Sequence, residues 1–572
     1  MERNPKMCGI AGYKFSGKDE NSFHDNIGQI LNSLKNRGPD YQNYWHNNEK
    51  NCYLLNTRLK IQDLSNRANM PMLSECKKFV ITYNGEIYNK KYIIENYLKN
   101  IKLETTSDTE VILKLYIIYD TQFLSFLDGM YSIAIYNLNK DLLFLARDPL
   151  GIKPLYYTIG ENYLYFSSSI KSFYFKKIVN TDALIDYFAL GFIREPKTIL
   201  KNVEVLEAGK FLIYKNNKVE REKYFELKNM FINKNKEIDI EIENSVMKHY
   251  TNEVSSCLFL SSGIDSNLIL AILKKNKIEI PTISINFENF SDDKKIYNET
   301  QIIKNICKEH RIENHHTLIT KNSMQDYDNQ FCKEMDQPTT DGLNSFIVSK
   351  IANQMKHKVA YSGLGGDELF CDYGTLNKIK KIHSINKIAK FLGIREIMKK
   401  FLNKVNFNNP KYKKIFDYEE ISQIYYLVRA LFTSGEKIDF DFSSIVINGF
   451  REKKLPFNNL YLNTSYLEYK IYLRNQLLRD SDWATMSNSI ELRVPFVNKD
   501  LIFNTFQLNP TITRRNVLKK INKNIFKHVS KKKIGFYTPT YENTIFHNPL
   551  KDRAFSILKN YIETNNLKIL RL

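Results

Sequence analysis

A methionine followed by a cysteine, Met7-Cys8-Gly9-Ile10, heads the first of two groups of residues that could do chemistry. Cleavage of such a junction by an aminopeptidase would leave the cysteine first in the chain, and its free α-amine could then serve as base for its own thiol. Alone, the motif reads as readily as a small core residue on an apolar strand. Three segments downstream supply complementary groups. Arg58, in Thr57-Arg58-Leu59-Lys60-Ile61-Gln62, could pair bidentately with a carboxylate. Asn84 and Gly85, in Tyr83-Asn84-Gly85-Glu86-Ile87-Tyr88-Asn89, could offer a side-chain amide and a backbone N–H to the oxyanion of a tetrahedral intermediate. By itself the Asn-Gly pair reads as a hairpin turn. Glu86 and Asp108, the latter in Ser107-Asp108-Thr109-Glu110, could neutralise an ammonium. Together these are the groups a pocket for free glutamine needs.

The second group is Leu258-Phe259-Leu260-Ser261-Ser262-Gly263-Ile264-Asp265-Ser266. It reads as a buried strand, a small hydroxyl-rich turn and a helix start. Backbone N–H groups at such a turn, with the positive end of the helix, make a phosphate site. The Gly-Lys-Ser/Thr ending of the Walker loop is absent, and an ordinary strand–turn–helix connection has the same outline.

The elements that must position these groups change character along the chain. From Gly9 to about Ser172 short β-rich runs, such as Phe79–Tyr83 and Tyr131–Tyr136, alternate with turns and two helical patterns, which predicts a sheet-dominated α+β domain. A hairpin is expected around Phe211–Tyr214 with its turn at Asn216-Asn217. After about Glu237, helical patterns alternate with the apolar runs Ser256–Leu260, Thr282–Ile285 and Val359–Tyr361, the pattern of a parallel sheet with crossover helices. Beyond Leu376 the sequence reads as mostly helical.

Length and composition set the outer limits. The 572 residues suit two or three domains. The net charge of +21 invites a polyanion, but the runs Lys274-Lys275, Lys380-Lys381 and Lys531–Lys533 are separated by mixed sequence with no arginine-rich arm. The charge therefore reads as a scattered, solvated surface and nucleic acid is not expected, with an acidic membrane face or polyanion as the alternative. Cys8, Cys52, Cys76, Cys257, Cys307, Cys332 and Cys371 are odd in number and lack a C-x-x-C pair, which argues against a disulfide framework or structural zinc. No stretch approaches a membrane span and the start lacks an apolar signal core, so a cytoplasmic location is expected.

The ordered set Met7–Ile10, Arg37-Gly38-Pro39-Asp40, Arg58-Leu59, Asn84–Asn89, Ser107–Glu110 and Arg147–Tyr156 resembles the glutaminase domain of class II glutamine amidotransferases, and within them the glutamine-hydrolysing asparagine synthetases. The resemblance implies an N-terminal-nucleophile sandwich over 8–215, connector included. It implies Cys8 as nucleophile, Asn84 and Gly85 at the oxyanion, and glutamine held by Arg58, Leu59, Lys60, Ile61, Gln62, Glu86 and Asp108. The second group is similar to the pyrophosphate loop of N-type ATP pyrophosphatases, implying an α/β synthetase domain with a helical C-terminal part over 216–572. There ATP would be held by Leu260, Ser261, Ser262, Gly263, Asp265, Ser266, Ile285, Ser362, Gly363 and Lys533, and Mg²⁺ by Asp265 and Asp367. Arg479–Phe496 resembles the long helical signature of these synthetases.

The implied activity is glutamine-dependent, ATP-consuming amidation of a carboxylate through an acyl-AMP, with L-aspartate the first acceptor. A homodimer is compatible with the family. Two departures matter. Met1–Lys6 precede Met7, so Cys8 gains its amine only when these residues are absent, and the active form is expected to begin at Cys8. Leu364 stands in Ser362-Gly363-Leu364-Gly365 where the family has glutamate, which keeps another acceptor, such as a uronic acid of a surface polysaccharide, in view. A non-catalytic nucleotide- or partner-binding homologue is the rival of another class.

Overall fold

Alternation along β1 (Gly9–Phe15) sends Ile10 to one side and Ala11, Tyr13 and Phe15 to the other, and both sides are buried. Such a strand needs cover on two faces. The computed structural model, which describes residues 8–16, 23–38, 40–230, 237–288, 299–371, 374–405, 407, 409–440, 443–452, 454–505, 513–529 and 548–569, supplies it with four layers. The strands that follow are β2 (Tyr41–Asn47), β3 (Cys52–Arg58), β4 (Met72–Leu73), β5 (Phe79–Ile87), β6 (Gly129–Asn137) and β7 (Leu142–Arg147). After them come β8 (Tyr156–Ile159), β9 (Tyr163–Ser167), β10 (Glu204–Val205), β11 (Lys210–Lys215) and β12 (Lys218–Lys223). They form two antiparallel sheets, β10-β8-β9-β1-β3-β2 and β12-β11-β7-β6-β5-β4.

Ile10, Leu54 and Phe166 of the first sheet meet Val80, Ala134 and Leu145 of the second in one apolar cluster, so the sheets stack face to face. The outer face of the first sheet packs on the Ile27–Leu34 helix through Tyr53 and Leu55. The outer face of the second packs on the Asp108–Tyr119 helix, where Val111, Ile112 and Leu115 meet Ile81, Ile133 and Ile135. The expected α+β sandwich is thus formed, with its strand and hairpin assignments. Asn216 and Asn217, both at positive φ, make the β11–β12 turn.

Asn84-Gly85, which the local sequence offered as a turn, lies instead inside β5, paired with Ser132 and Tyr131 of β6. A Cβ on Gly85 would stand 2.0 Å from the Met130 carbonyl oxygen, so glycine is there for close strand approach.

The second unit is built on β13 (Ser256–Phe259), β14 (Thr282–Phe287), β15 (Asn314–Ile319) and β16 (Val359–Tyr361), all parallel. A β17–β18 hairpin (Lys437–Phe440, Ser443–Val446) interrupts the helical C-terminal region. The segment Arg479–Phe496 is not one long helix: the helix ends at Ser487, Ser489 takes φ +71°, and Glu491–Arg493 becomes β19. Alternation of Glu491, Leu492 and Arg493 suits the edge of the sheet, where they pair with Val359–Tyr361 in the order β15-β14-β13-β16-β19.

Candidate functional site

Cys8 directly precedes β1, and Arg58 ends β3, the neighbouring strand. With Asn84, Gly85 and Glu86 of β5 and Asp108 at the first turn of its helix, they line one cavity. Leu59, Ile61 and Gln62 line it as well. Lys60 does not, because its ammonium turns outward to Asn66 (2.9 Å).

The Cys8 thiol lies 3.8 Å from the Leu59 carbonyl oxygen, and burial pushes it up to about 11, against the pull of that carbonyl contact and of Arg58. As an ordinary thiol it would be a poor nucleophile at neutral pH, so the cavity needs a base. Both polar atoms of the Asn84 side chain are buried and lack a hydrogen-bond partner among the described residues. A buried amide left in that state is costly unless a ligand completes it. Asp108 accepts from the Tyr83 hydroxyl (2.9 Å) and the Ile87 N–H (3.2 Å). Arg58 is more occupied than its sequence suggested. One terminal nitrogen donates to Ser65 O (2.9 Å) and Asn69 Oδ1 (2.6 Å), the other to the Gln62 and Asp63 carbonyls. A carboxylate bound there must displace part of the 62–69 loop.

The second unit closes this cavity. Glu491 lines it, and Arg493 sits 3.2 Å from the Glu86 carboxylate while donating to Glu491 (2.7 Å) and to the His249 carbonyl (2.7 Å). Gln62 also donates to Glu86. Burial raises Glu86 to about 8, Arg493 opposing and Glu491 and Asp108 adding to the rise. Arg493 thus faces Glu86 and Glu491, while Lys90 is the main cation acting on Asp108; an incoming ammonium would add positive charge beside these carboxylates. Sequence reasoning missed Glu491 and Arg493, since nothing local marks a strand of three residues as part of a pocket assembled from the first 110.

A second, larger cavity lies at the ends of the parallel strands. Of the residues expected to hold ATP, Leu260, Ser261, Gly263, Asp265, Ser266, Ile285, Ser362 and Gly363 line it. Ser262 does not; it is buried behind the loop, its N–H directed to Glu299 at 3.3 Å. The loop is preshaped by its own hydroxyls: Ser266 accepts from the Ser261 N–H (3.1 Å) and Ser261 from the Gly263 N–H (3.1 Å). Leu364, Asn344 and Ser345 face the same space. Lys533 lies outside the described residues.

Asp265 and Asp367 converge on a single cation, the buried guanidinium of Arg514, at 2.6 Å for Asp367. Gly363 and Gly366 press on Asp265 so closely that a Cβ would come within 2.7 Å and 2.3 Å of its side chain. Two carboxylates already sharing a cation are a donor set that fits Mg²⁺.

A buried charge cluster joins the two units. Asp482, on the Arg479–Ser487 helix, takes Arg37 at 2.9 Å and Lys153 at 3.1 Å from the N-terminal unit. Burial works against the Asp482 anion, but these two cations hold its carboxyl below the usual range. The same helix packs on Leu343–Gln354, whose first turn holds Asn344 and Ser345.

A glutamine amidotransferase domain model matches residues 7–225 and an asparagine synthase model matches residues 237–568. A Methanocaldococcus jannaschii protein provisionally named glutamine-hydrolysing asparagine synthetase 2 is 33% identical over 69% of this chain and 82% of its own length. Glutamine-hydrolysing asparagine synthetase 1 of Bacillus subtilis is 29% identical over 93% of this chain and 87% of its own. The solved allosteric regulatory enzyme of purine biosynthesis aligns at a TM-score of 0.28 and 16% identity, over 52% of this chain and 69% of that one. With one family model spanning more than half of the sequence and the amidotransferase model covering the remainder of the fold, the chain belongs to the asparagine synthase family and carries an N-terminal glutamine amidotransferase domain.

Proposed function

We propose that the first cavity hydrolyses glutamine and the second uses ATP to activate a carboxylate, which the released ammonia converts to an amide. The observation that carries this is the unpartnered Asn84 amide in the cavity that holds the Cys8 thiol. In this reading the Cys8 sulfur attacks the side-chain amide carbon of glutamine, Asn84 and the Gly85 N–H hold the oxyanion, and the thiol proton leaves with ammonia. The base is the α-amine that Cys8 has when it is the first residue of the chain. Water then hydrolyses the thioester to glutamate. Glu86 and Asp108 hold the substrate ammonium and Arg58 its carboxylate.

At the second site a carboxylate oxygen attacks the α-phosphorus, pyrophosphate leaves into the Ser261–Ser266 loop, and ammonia displaces AMP from the acyl carbon with loss of a proton. Mg²⁺, held by Asp265 and Asp367, would neutralise phosphate charge there. Aspartate is the acceptor that family membership favours. Leu364, facing the cavity beside Asn344 and Ser345, favours the second reading, a different carboxylate such as a sugar acid, because a leucine offers an amino acid's ammonium nothing.

Pyrophosphate release measured against a panel of carboxylates decides between them. Turnover with aspartate supports the first, turnover with a uronic acid and silence with aspartate the second, and silence with every carboxylate rejects both. Cys8→Ala is expected to abolish glutamine-dependent turnover and to keep turnover with ammonium salts; loss of both would reject the assignment of Cys8 to glutamine alone.

A further inference from the structure

The folded chain concentrates charge and apolar surface where the sequence had shown scattered lysines. Residues 374–404 carry eight lysines and Arg395 against one acid, Glu396, a net +8 of the chain's +21. They form two successive helices, Gly374–Phe391 and Arg395–Lys404, joined through Gly393 at φ +67°. The inner face of the first is already used: Ile379, Asn386 and Ala389 are buried, and Asn386 donates to the Ile415 carbonyl at 2.9 Å. The second has no buried residue and is fastened at its rim, Arg395 to the Phe416 carbonyl (3.0 Å) and Lys399 to Asp417 (3.6 Å).

What remains outward is apolar and basic together. Lys378, Lys381, Ile385, Ile388 and Leu392 follow one another at alternating three- and four-residue spacing, one exposed stripe. Phe391 at the end of the first helix is 91% exposed, and Ile397 and Phe401, one turn apart on the second, are 67% and 58% exposed. Lys400 and Lys404 flank them on the same side. Soluble surfaces expose such residues singly; a run of them rimmed by lysines is an interaction face.

We propose that these two helices dock the protein on a lipid bilayer carrying anionic headgroups. The lysines meet lipid phosphates while Phe391, Ile397 and Phe401 enter the boundary between headgroups and acyl chains, the arrangement of a helix lying in a membrane interface. Charge complementarity selects this occupant. A second copy would set one lysine-rich face against another, even with Lys390, Arg395 and Lys399 paired to Glu419 and Asp417, and a nucleic acid would match the lysines but leave the phenylalanines and isoleucines in water. No helix among the described residues is long and apolar enough to cross a membrane.

The test uses the full-length protein with vesicles of phosphatidylcholine, alone or with about 30% phosphatidylglycerol to give the negative surface. The expected result is cosedimentation with the anionic vesicles only, weakening steeply as salt shortens the screening length. Phe391→Trp, a spectroscopic probe outside both cavities, is expected to shift its emission to the blue on binding. The Phe391→Asp, Ile397→Asp double variant should bind the anionic vesicles at least about tenfold more weakly, having lost two apolar anchors, with pyrophosphate release in solution unchanged. Equal binding to both vesicle types, an unshifted Phe391→Trp, or a double variant that still binds overturns the proposal. So does a double variant whose light-scattering mass halves relative to the parent, since the face would then be an interface between copies.

Discussion

Replacing Arg493 by methionine tests whether the second unit tunes the glutamine pocket. Arg493 is the nearby cation that keeps Glu86, already raised to about 8 by burial, from rising further. At pH 7 Glu86 is already mostly protonated in the parent; without Arg493 it stays so at higher pH as well and offers a substrate ammonium no charge there. A hydrogen bond to a charged group contributes about 1.5–3 kcal/mol, so where the parent's Glu86 is ionised, near pH 9, the glutamine KM should rise by up to about 10- to 150-fold at 1.4 kcal/mol per tenfold. The loss should be small at pH 7, where the parent's Glu86 is itself mostly protonated, and grow toward pH 9, as the parent enzyme's own KM falls between about pH 7 and 9.

Stability carries a matching sign. Breaking a buried pair costs about 3–5 kcal/mol when the partner stays charged. Here the native carboxyl holds a proton that the unfolded one, near 4.5, has lost, so the folded state binds more protons across the window between the two values. Stability of Arg493→Met should therefore decline with rising pH above about 4.5 and be worst at alkaline pH. The assay is glutamate release without nucleotide from pH 6.5 to 9, beside denaturant unfolding, with Glu86→Gln as the comparator whose KM is high and pH-independent. An unchanged KM at pH 9, or an increase as large at pH 6.5 as at pH 9, would refute the reasoning.

Three further outcomes follow from the same geometry. Asn84→Ala should lower kcat for glutamine hydrolysis by about 10²–10³ with little change in KM, the mark of a group acting on the oxyanion. Arg514→Ala removes the cation that occupies the space between Asp265 and Asp367, so Mn²⁺ without nucleotide should bind at least about tenfold more tightly by titration; weaker binding would make Arg514 a support for the carboxylates instead. Gly366→Ala puts a Cβ 2.3 Å from Asp265 Oδ1 and should cost about 1–3 kcal/mol in denaturant unfolding together with pyrophosphate release.

What the sequence revealed was local, and what it hid was assembled across distance. Ser261–Ser266 could be read because a strand, a turn and a helix start are contiguous, and hydroxyls at fixed spacing close the loop on themselves. The same contiguity placed Glu86 beside Asn84. It misled at Asn84-Gly85, where a turn signal was overruled by β-rich neighbours and by the need for close approach to Met130. It misled at Lys60 too, since sitting in a motif does not fix which way a long side chain turns. The long helix expected over Arg479–Phe496 gave way because the open edge beside β16 draws Glu491–Arg493 into extended pairing. Arg514 reaches Asp265 across 249 residues, and no spacing rule reports that. The lysines of 374–404 looked dispersed along the chain; only helical wrapping lines them up.

The placement of β19 bears on how the protein is made. A nascent chain holds Cys8, Asn84 and Asp108 long before it holds Glu491 and Arg493, and at roughly 5–20 residues per second the interval from residue 108 to residue 491 lasts about 20–80 s. Throughout that time the N-terminal sandwich lacks the wall that Glu491 and Arg493 supply, and Glu86 lacks its cation. The pocket lined by Cys8 is thereby completed only when most of the second unit has been made.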